Sequence, residues 1–327
     1  MLFSVVALLA ACDGVDAPPD GGMSPWSQTT PLPTPRLEPG VAALGQRIAV
    51  LGGFDRSERE GLRITSDVVV FDPVRQAWEQ VTNAPVEWTH ANLAGVSTTL
   101  YLLGGLEGID FRARGESFAL DVPQPGAGWR ALAPMPAGLE RGAAAVVISP
   151  PNIFLLGGAS STEAVATNLV YDLTENTWTR LPDLPAPRSH AAAMRMIDGT
   201  LIIAGGLAGL DGADAYDDVW ALPPGASQWE QRTARMAVAR GGCAYGVVAS
   251  QLVCAGGEAG REALTLVESY DPIQDEWTRH PDLPEPRAGT PGAAVGTRLY
   301  VPGGASRLVF DPTSTVFVFS YLETLAR

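Results

Sequence analysis

Three histidines, at positions 90, 190 and 280, are the first residues to weigh for catalysis or metal binding. They lie far apart in the chain, and none stands in a short ligand spacing such as His-x3-His. They are expected to be hydrogen-bonded scaffold residues, with no metal and no cofactor. A second set is periodic. Arg36, Arg141, Arg188, Arg240 and Arg287 each precede a Gly-Gly pair by sixteen or seventeen residues, and Trp88 takes that position in the one remaining copy. If the copies superpose, these six residues ring a common opening. Five guanidinium groups there would suit carboxylate or phosphate ligands. The competing reading is structural: each Arg bonds carbonyls or acidic groups nearby and staples one copy to the next. Recurrence at a fixed place in a repeat favours the second, and the six remain the candidate ligand-binding residues.

Other chemistry is thinner. The stretch Leu210 to Asp218 carries four carboxylates but lacks EF-hand spacing and its terminal Glu, so it reads as a solvated acidic loop. No Gly-x-Ser-x-Gly elbow and no Walker loop occurs. Nothing selects a pair of carboxylates for glycoside hydrolysis, and no catalytic residue is assigned.

The elements that must position these residues announce themselves by period. Gly-Gly pairs begin at 52, 104, 157, 205, 256 and 303, every 47 to 53 residues, and Trp stands at 26, 78, 129, 178, 229 and 277. Short apolar runs precede most pairs, as in Ile48 to Leu51 and Leu201 to Ala204. A second run between Gly-Gly and Trp ends in an aromatic-Asp step: Phe71-Asp72, Tyr171-Asp172, Tyr270-Asp271 and, in the last copy, Phe310-Asp311. Asp-Pro after three of these runs is turn chemistry, because Pro presets φ and Asp accepts backbone N–H groups. The runs alternate with turn signals such as Asp198-Gly199, so they read as strands joined by hairpins. Gly-Gly suits a crowded approach of backbone, and Trp suits a widening apolar wedge.

A Gly-Gly pair, an aromatic-Asp step and a Trp within about fifty residues resemble the Kelch repeat, over roughly residues 26–321. The resemblance implies an all-β, six-bladed propeller of four-stranded blades around a channel. Seven segments compete for six outer strands. The strand around Trp26 is expected to close the last blade, with the carboxyl-terminal strand adding a fifth strand or covering its edge. In the alternative, the strand around Phe317 closes the ring instead. In such a blade the connections from the second to the third strand, and from one blade to the next, share one face. The second-to-third-strand connections vary most in length, which makes that face the expected binding surface.

Cys243 and Cys254 flank a hairpin whose tip is Ala249-Ser250 when aligned with Asp198-Gly199. That register opposes Cys243 to Gly256 and Cys254 to Tyr245, making the two thiols diagonal neighbours, roughly 7 Å apart at Cα. Either a disulfide or two buried free thiols fits. Oxidation of the galactose oxidase kind, on a similar propeller, needs a Tyr–Cys crosslink and a His cluster, and is not expected.

The third cysteine concerns location. Residues 1–12 form a short apolar run ending Leu9-Ala10-Ala11-Cys12, too short to span a bilayer and similar to a bacterial lipoprotein signal with its acylated Cys. No Lys or Arg precedes the run. Residues 13–25, rich in Asp, Gly and Pro, read as a flexible linker, and residues 26–327 as the propeller. With 22 Lys plus Arg, all Arg, against 36 Asp plus Glu, the net charge is −14, which argues against nucleic acid. The expected protein is a monomeric, extracytoplasmic lipoprotein, reaching the membrane only through a lipid on Cys12. Its propeller would bind an envelope protein or a glycan, since Kelch propellers commonly bind proteins. The alternative is a periplasmic sugar-active enzyme, of isomerase or oxidase type, with its site at the propeller mouth.

Overall fold

Six antiparallel sheets of inner-to-outer strands A to D follow one another around a channel, in a computed structural model that describes residues 24–57, 61–122, 128–209, 214–308 and 310–321. Blade 1 comprises Gly40–Leu44, Arg47–Leu51, Asp67–Asp72 and Ala77–Asn83. Blades 3, 4 and 5 repeat this order, with strand A at Ala145–Ser149, Ala192–Arg195 and Ala244–Val248. In blade 2, strand A is Leu93–Val96. Strands B and C (Thr99–Glu107 and Arg112–Asp121) run on past the Gly-Gly pair into a long hairpin, with a bulge between Leu103 and Gly105. The proposed signal and the start of the linker, Cys12 included, lie outside the described residues, as does part of the acidic loop, 210–213.

The amino-terminal strand closes the ring. Trp26–Thr29 pairs with Val316–Ser320, Trp26 opposite Phe319, as the outer strand of blade 6. The carboxyl-terminal strand is neither a fifth strand nor an edge cover: it is strand C of that blade, between Trp26–Thr29 and Arg298–Pro302. Phe310-Asp311-Pro312 is therefore not the C–D step. It lies in the B–C connection, where Arg56 donates to the Phe310 carbonyl at 2.7 Å and Phe310 packs on Phe54. Elsewhere the Asp is as expected, with Asp72, Asp172 and Asp271 each accepting two turn N–H groups.

Two repeated contacts join neighbouring blades. The D-strand indoles do more than fill a wedge, because most reach back with Nε1–H to a carbonyl of the preceding blade. Trp78 donates to Thr30, Trp129 to Asn83, Trp178 to Ala133, Trp229 to Pro182 and, across the closure, Trp26 to Pro281, all at 2.9–3.0 Å. The Gly-Gly pairs make the second contact. Their φ values are positive in all six first positions, and a Cβ on Gly157 would stand 2.3 Å from the Arg188 carbonyl oxygen. The next residue, Gly158, donates its N–H to that same oxygen at 2.9 Å. The crowding that selects glycine is thus the connection entering the next blade. Apolar clusters of Leu, Val, Ile and Ala fill the space between facing sheets.

Candidate functional site at the channel mouth

The recurring arginines do not reach the mouth. Arg36, Arg141, Arg188, Arg240 and Arg287 are at most 1% exposed, and Trp88 is equally buried. Arg188 donates to the Gly205 carbonyl and Asp218 and stacks on Tyr216; Arg240 pairs with Glu268 at 2.8 Å; Arg141 bonds the carbonyls of Leu139, Gly157 and Thr167. Arg36 bonds Asp67, and Arg287 bonds Glu285 and lies over Phe317. Each guanidinium fastens the incoming connection to its own blade, while the carbonyls of Arg36, Arg188, Arg240 and Arg287 receive the glycine N–H of the blade before and that of Arg141 receives the Asn92 side-chain amide at 3.0 Å. As ligand contacts these five Arg and Trp88 are therefore corrected: they are staples, withdrawn by the same packing that makes them recur.

What faces the mouth is the position two residues later. Glu38, His90, Ala143, His190, Gly242 and Gly289 all adopt a left-handed backbone, with φ between 52° and 67°. Glu38 N–H donates to Gly289 O, His90 to Glu38, Ala143 to His90, His190 to Ala143 and Gly242 to His190, at 2.7–2.9 Å. This nearly continuous circle of peptide bonds at the top of the inner strands explains the strained φ. For a non-glycine residue that conformation costs about 1–2 kcal/mol, and closure of the ring imposes it at successive blades.

The side chains of three of the six residues converge. Glu38 Oε2 lies 3.5 Å from His90 Nε2 and 3.8 Å from His190 Nε2, and the two imidazoles meet edge to face at 5.1 Å. Their Nδ1 atoms are turned away, 2.9 Å from the Thr89 hydroxyl and 3.0 Å from the Ser189 hydroxyl. Burial opposes charge on Glu38, yet His90 and His190 together hold its carboxyl at about 2. Burial also pushes His90 down to about 4, against the attraction of Glu38. His190 shifts upward: its own burial is outweighed by the bond and charge of Glu38 and the charge of Glu258. Glu38 and His190 thus favour each other's charged forms, while His90 is shifted toward its neutral form. Burial raises the pKa of Glu258, which also feels the charges of His190 and Glu38.

Below the ring lies a cavity of about 450 Å³, lined mainly by small apolar residues of the inner strands, among them Val41, Ala144, Ala193 and Ala293. Tyr245 spans from blade 5 to blade 3, where its hydroxyl accepts the Val146 N–H at 2.8 Å and donates to the Val146 carbonyl. Around the mouth stand the hairpins Phe54–Ser57/Gly61–Ile64, Glu107 to Arg112, and Glu258–Ala259/Glu262–Ala263. A row of rings runs from Phe310 through Phe54 and Phe111 to His90, at 5.1, 6.1 and 5.4 Å.

Sequence reasoning set His90 and His190 aside because they lie in separate blades. A ring makes equivalent positions of separate blades neighbours, and the signal was present: Glu38, His90 and His190 each follow the recurring Arg or Trp by two residues. His280, by contrast, is buried on strand D of blade 5, with Nε2 2.8 Å from Ser269 Oγ. Cys243 and Cys254 are joined by a disulfide with Cα atoms 5.7 Å apart, closer than a generic diagonal pair.

Comparison with known proteins agrees with the geometry. The family model for the KLHDC2/KLHL20/DRC7 Kelch-repeats domain matches residues 90–304, and that for the Kelch motif matches residues 35–85. Kelch-like protein terF of Aspergillus terreus is 30% identical over 98% of this chain and 73% of its own length. Kelch-like protein 25 of Xenopus tropicalis is 26% identical, and that of Homo sapiens 28%, each over 83% of this chain. The chain spans only 45% of the length of those two relatives. Blade order, glycine clasp, tryptophan ladder and these matches agree: the chain belongs to the Kelch-repeat family.

Proposed function

We infer that this propeller is an interaction module that takes a protein partner on its mouth face. One observation carries the reading: the two faces are built differently. The A–B and C–D turns are short, whereas the B–C connections of blades 1, 2 and 5 rise as hairpins beside the mouth. Leu62 and Ile109 on the connections of blades 1 and 2, and Leu308 and Phe310 on the B–C connection of blade 6, are exposed, beside the paired charges of Arg56 with Asp311 and Arg112 with Glu107. Apolar side chains rimmed by charge are the composition of a recognition surface. The partner belongs to the cell envelope if Cys12 carries a lipid, which is the location the amino-terminal residues favour.

A second reading keeps the mouth but changes the role. Glu38 and His190 supply an acid and a base beside a cavity large enough for a sugar, which suits a sugar isomerase. The two separate in one experiment. The immobilised whole chain is exposed to envelope extract and, in parallel, to reducing sugars whose anomers and isomers are followed by NMR. Module behaviour is specific capture lost in Ile109→Glu and Phe310→Glu but kept in Ile197→Glu on the opposite face, where Ile197 is fully exposed. Capture indifferent to all three substitutions would overturn the recognition reading. Sugar turnover lost in Glu38→Gln would establish the second.

A further inference from the structure

We propose that Glu38, His90 and His190 form a binding site for one divalent first-row transition ion, with coordination left open toward the channel. Candidate ligand atoms of the three residues lie within 4.8 Å of one another, and both Nε2 atoms approach the same carboxylate oxygen. Ligands placed 2.0–2.2 Å from Zn²⁺ stand about 3.4 Å apart in a tetrahedral shell, so modest side-chain rotations close the triangle. An ion pair alone needs one imidazole; here a second is aimed at the same point.

The surroundings favour coordination. The Thr89 hydroxyl donates to the Leu106 carbonyl, which leaves its oxygen to accept a hydrogen bond from His90 Nδ1–H. That contact fixes the tautomer whose Nε2 carries the free lone pair. Ser189 holds His190 Nδ1 from the equivalent position. Such outer contacts are how proteins orient histidine ligands. All three ligands ride on the hydrogen-bonded backbone circle, so the site is built on a closed scaffold rather than on a free loop. Among the remaining ring positions, Ala143 stands between the two histidines with only a methyl group, and Gly242 and Gly289 carry no side chain on the arc from His190 back to Glu38, so that arc is left for water or an incoming oxygen ligand. Two imidazoles and one carboxylate suit Zn²⁺, Fe²⁺, Ni²⁺ or Cu²⁺ rather than Ca²⁺ or Mg²⁺. Glu258 adds a second carboxylate close enough to act on His190 and Glu38.

This inference stands apart from recognition at the hairpins, and its test uses metal alone. The whole chain, without a polyhistidine tag, is stripped with chelator and titrated with Zn²⁺ by calorimetry and with Co²⁺ by visible absorption. The expected result is one equivalent bound, with ligand-field bands of a four- or five-coordinate nitrogen and oxygen site. His90→Gly and His190→Gly should each weaken binding at least a hundredfold, and Glu38→Gln about tenfold. Glycine already occupies the equivalent positions 242 and 289, so these variants keep the backbone, which circular dichroism checks. Ala143→Gly, equally on the ring, should bind as the parent does. Absence of saturable binding up to millimolar Zn²⁺, or binding undiminished in the double His→Gly variant, would overturn the assignment.

Discussion

The carbonyl of Arg188 receives the N–H of Gly158 at 2.9 Å, while a methyl group on the neighbouring Gly157 would collide with the same oxygen at 2.3 Å. That oxygen accounts for glycine at 157, while at Gly158, with φ 115°, a Cβ would instead stand 2.7 Å from the Gly142 carbonyl oxygen. Gly157→Ala combines a left-handed backbone with a main-chain clash, and should destabilise the fold by about 2–4 kcal/mol. Gly61, at φ 72° with nothing within 4 Å of its virtual Cβ, isolates the conformational part. Gly61→Ala should cost only about 1 kcal/mol. Urea denaturation of the two variants measures the difference, and equal losses would remove the blade-to-blade contact as the reason for the pair.

Arg188 itself carries the next expectation. Its side chain is buried, and its partner Asp218 is held below the usual carboxylate range, against its own burial, by the bond and charge of that guanidinium. Arg188→Ala leaves a half-buried carboxylate opposite a gap and should cost about 3 kcal/mol. Arg188→Ala with Asp218→Asn should recover part of that loss. Mouth-face capture by the folded fraction should be unchanged. A variant of normal stability with lost capture would return Arg188 to the ligand-binding set.

The disulfide gives a prediction from chain length. Cys243 and Cys254 are eleven residues apart, and closing so short a loop restricts the unfolded chain by about 2–3 kcal/mol. In a Cys12→Ser background, alkylation under denaturing conditions should label no thiol without reductant and both thiols with it. Cys243→Ala/Cys254→Ala should lower the urea midpoint correspondingly. Two free thiols before reduction would contradict the bond.

Much of this architecture was legible because a propeller repeats its constraints. Glycine where one backbone meets the next, tryptophan where outer strands meet, and Asp in the C–D turn each recur at a period no other pattern imitates. The last blade was misread for a local reason. Phe310-Asp311-Pro312 copies the aromatic-Asp-Pro step of blades 1 and 5, but its ring is drawn onto Phe54 and its carbonyl to Arg56. Val316–Ser320 takes the strand instead. The mouth was hidden for a different reason. Metal and catalytic motifs are sought at short spacings, whereas ring closure brings together residues fifty and a hundred positions apart. The useful register was not the arginine that recurs but the residue two places on that varies, because a scaffold repeats what holds it and varies what it presents.

Acid should act on a second joint between blades. Asp275, in the C–D turn of blade 5, accepts from the Thr233 N–H at 2.9 Å, the Thr233 hydroxyl and the Tyr270 hydroxyl, so it ties strand D of blade 4 to blade 5. Burial raises its pKa, but these hydrogen bonds and the charge of Arg232 bring it down to about 2, from 3.8. A depressed carboxylate stabilises the fold above its unfolded value, and that contribution vanishes as pH falls through the folded value. The window is therefore pH 4 to 2, with no more than about 1 kcal/mol at stake once solvent screening of this turn carboxylate is counted. Tyr270 responds at the other extreme. Burial and the Asp275 carboxylate push its hydroxyl up to about 12, so the unfolded chain loses that proton first and stability falls between pH 10 and 12. Asp275→Asn removes the ionisable partner but keeps an acceptor for Thr233. Denaturant midpoints at pH 5, 3 and 2 should then show a shallower acid limb than the parent. Parallel acid limbs would show that the carboxylate at this joint carries none of the pH dependence.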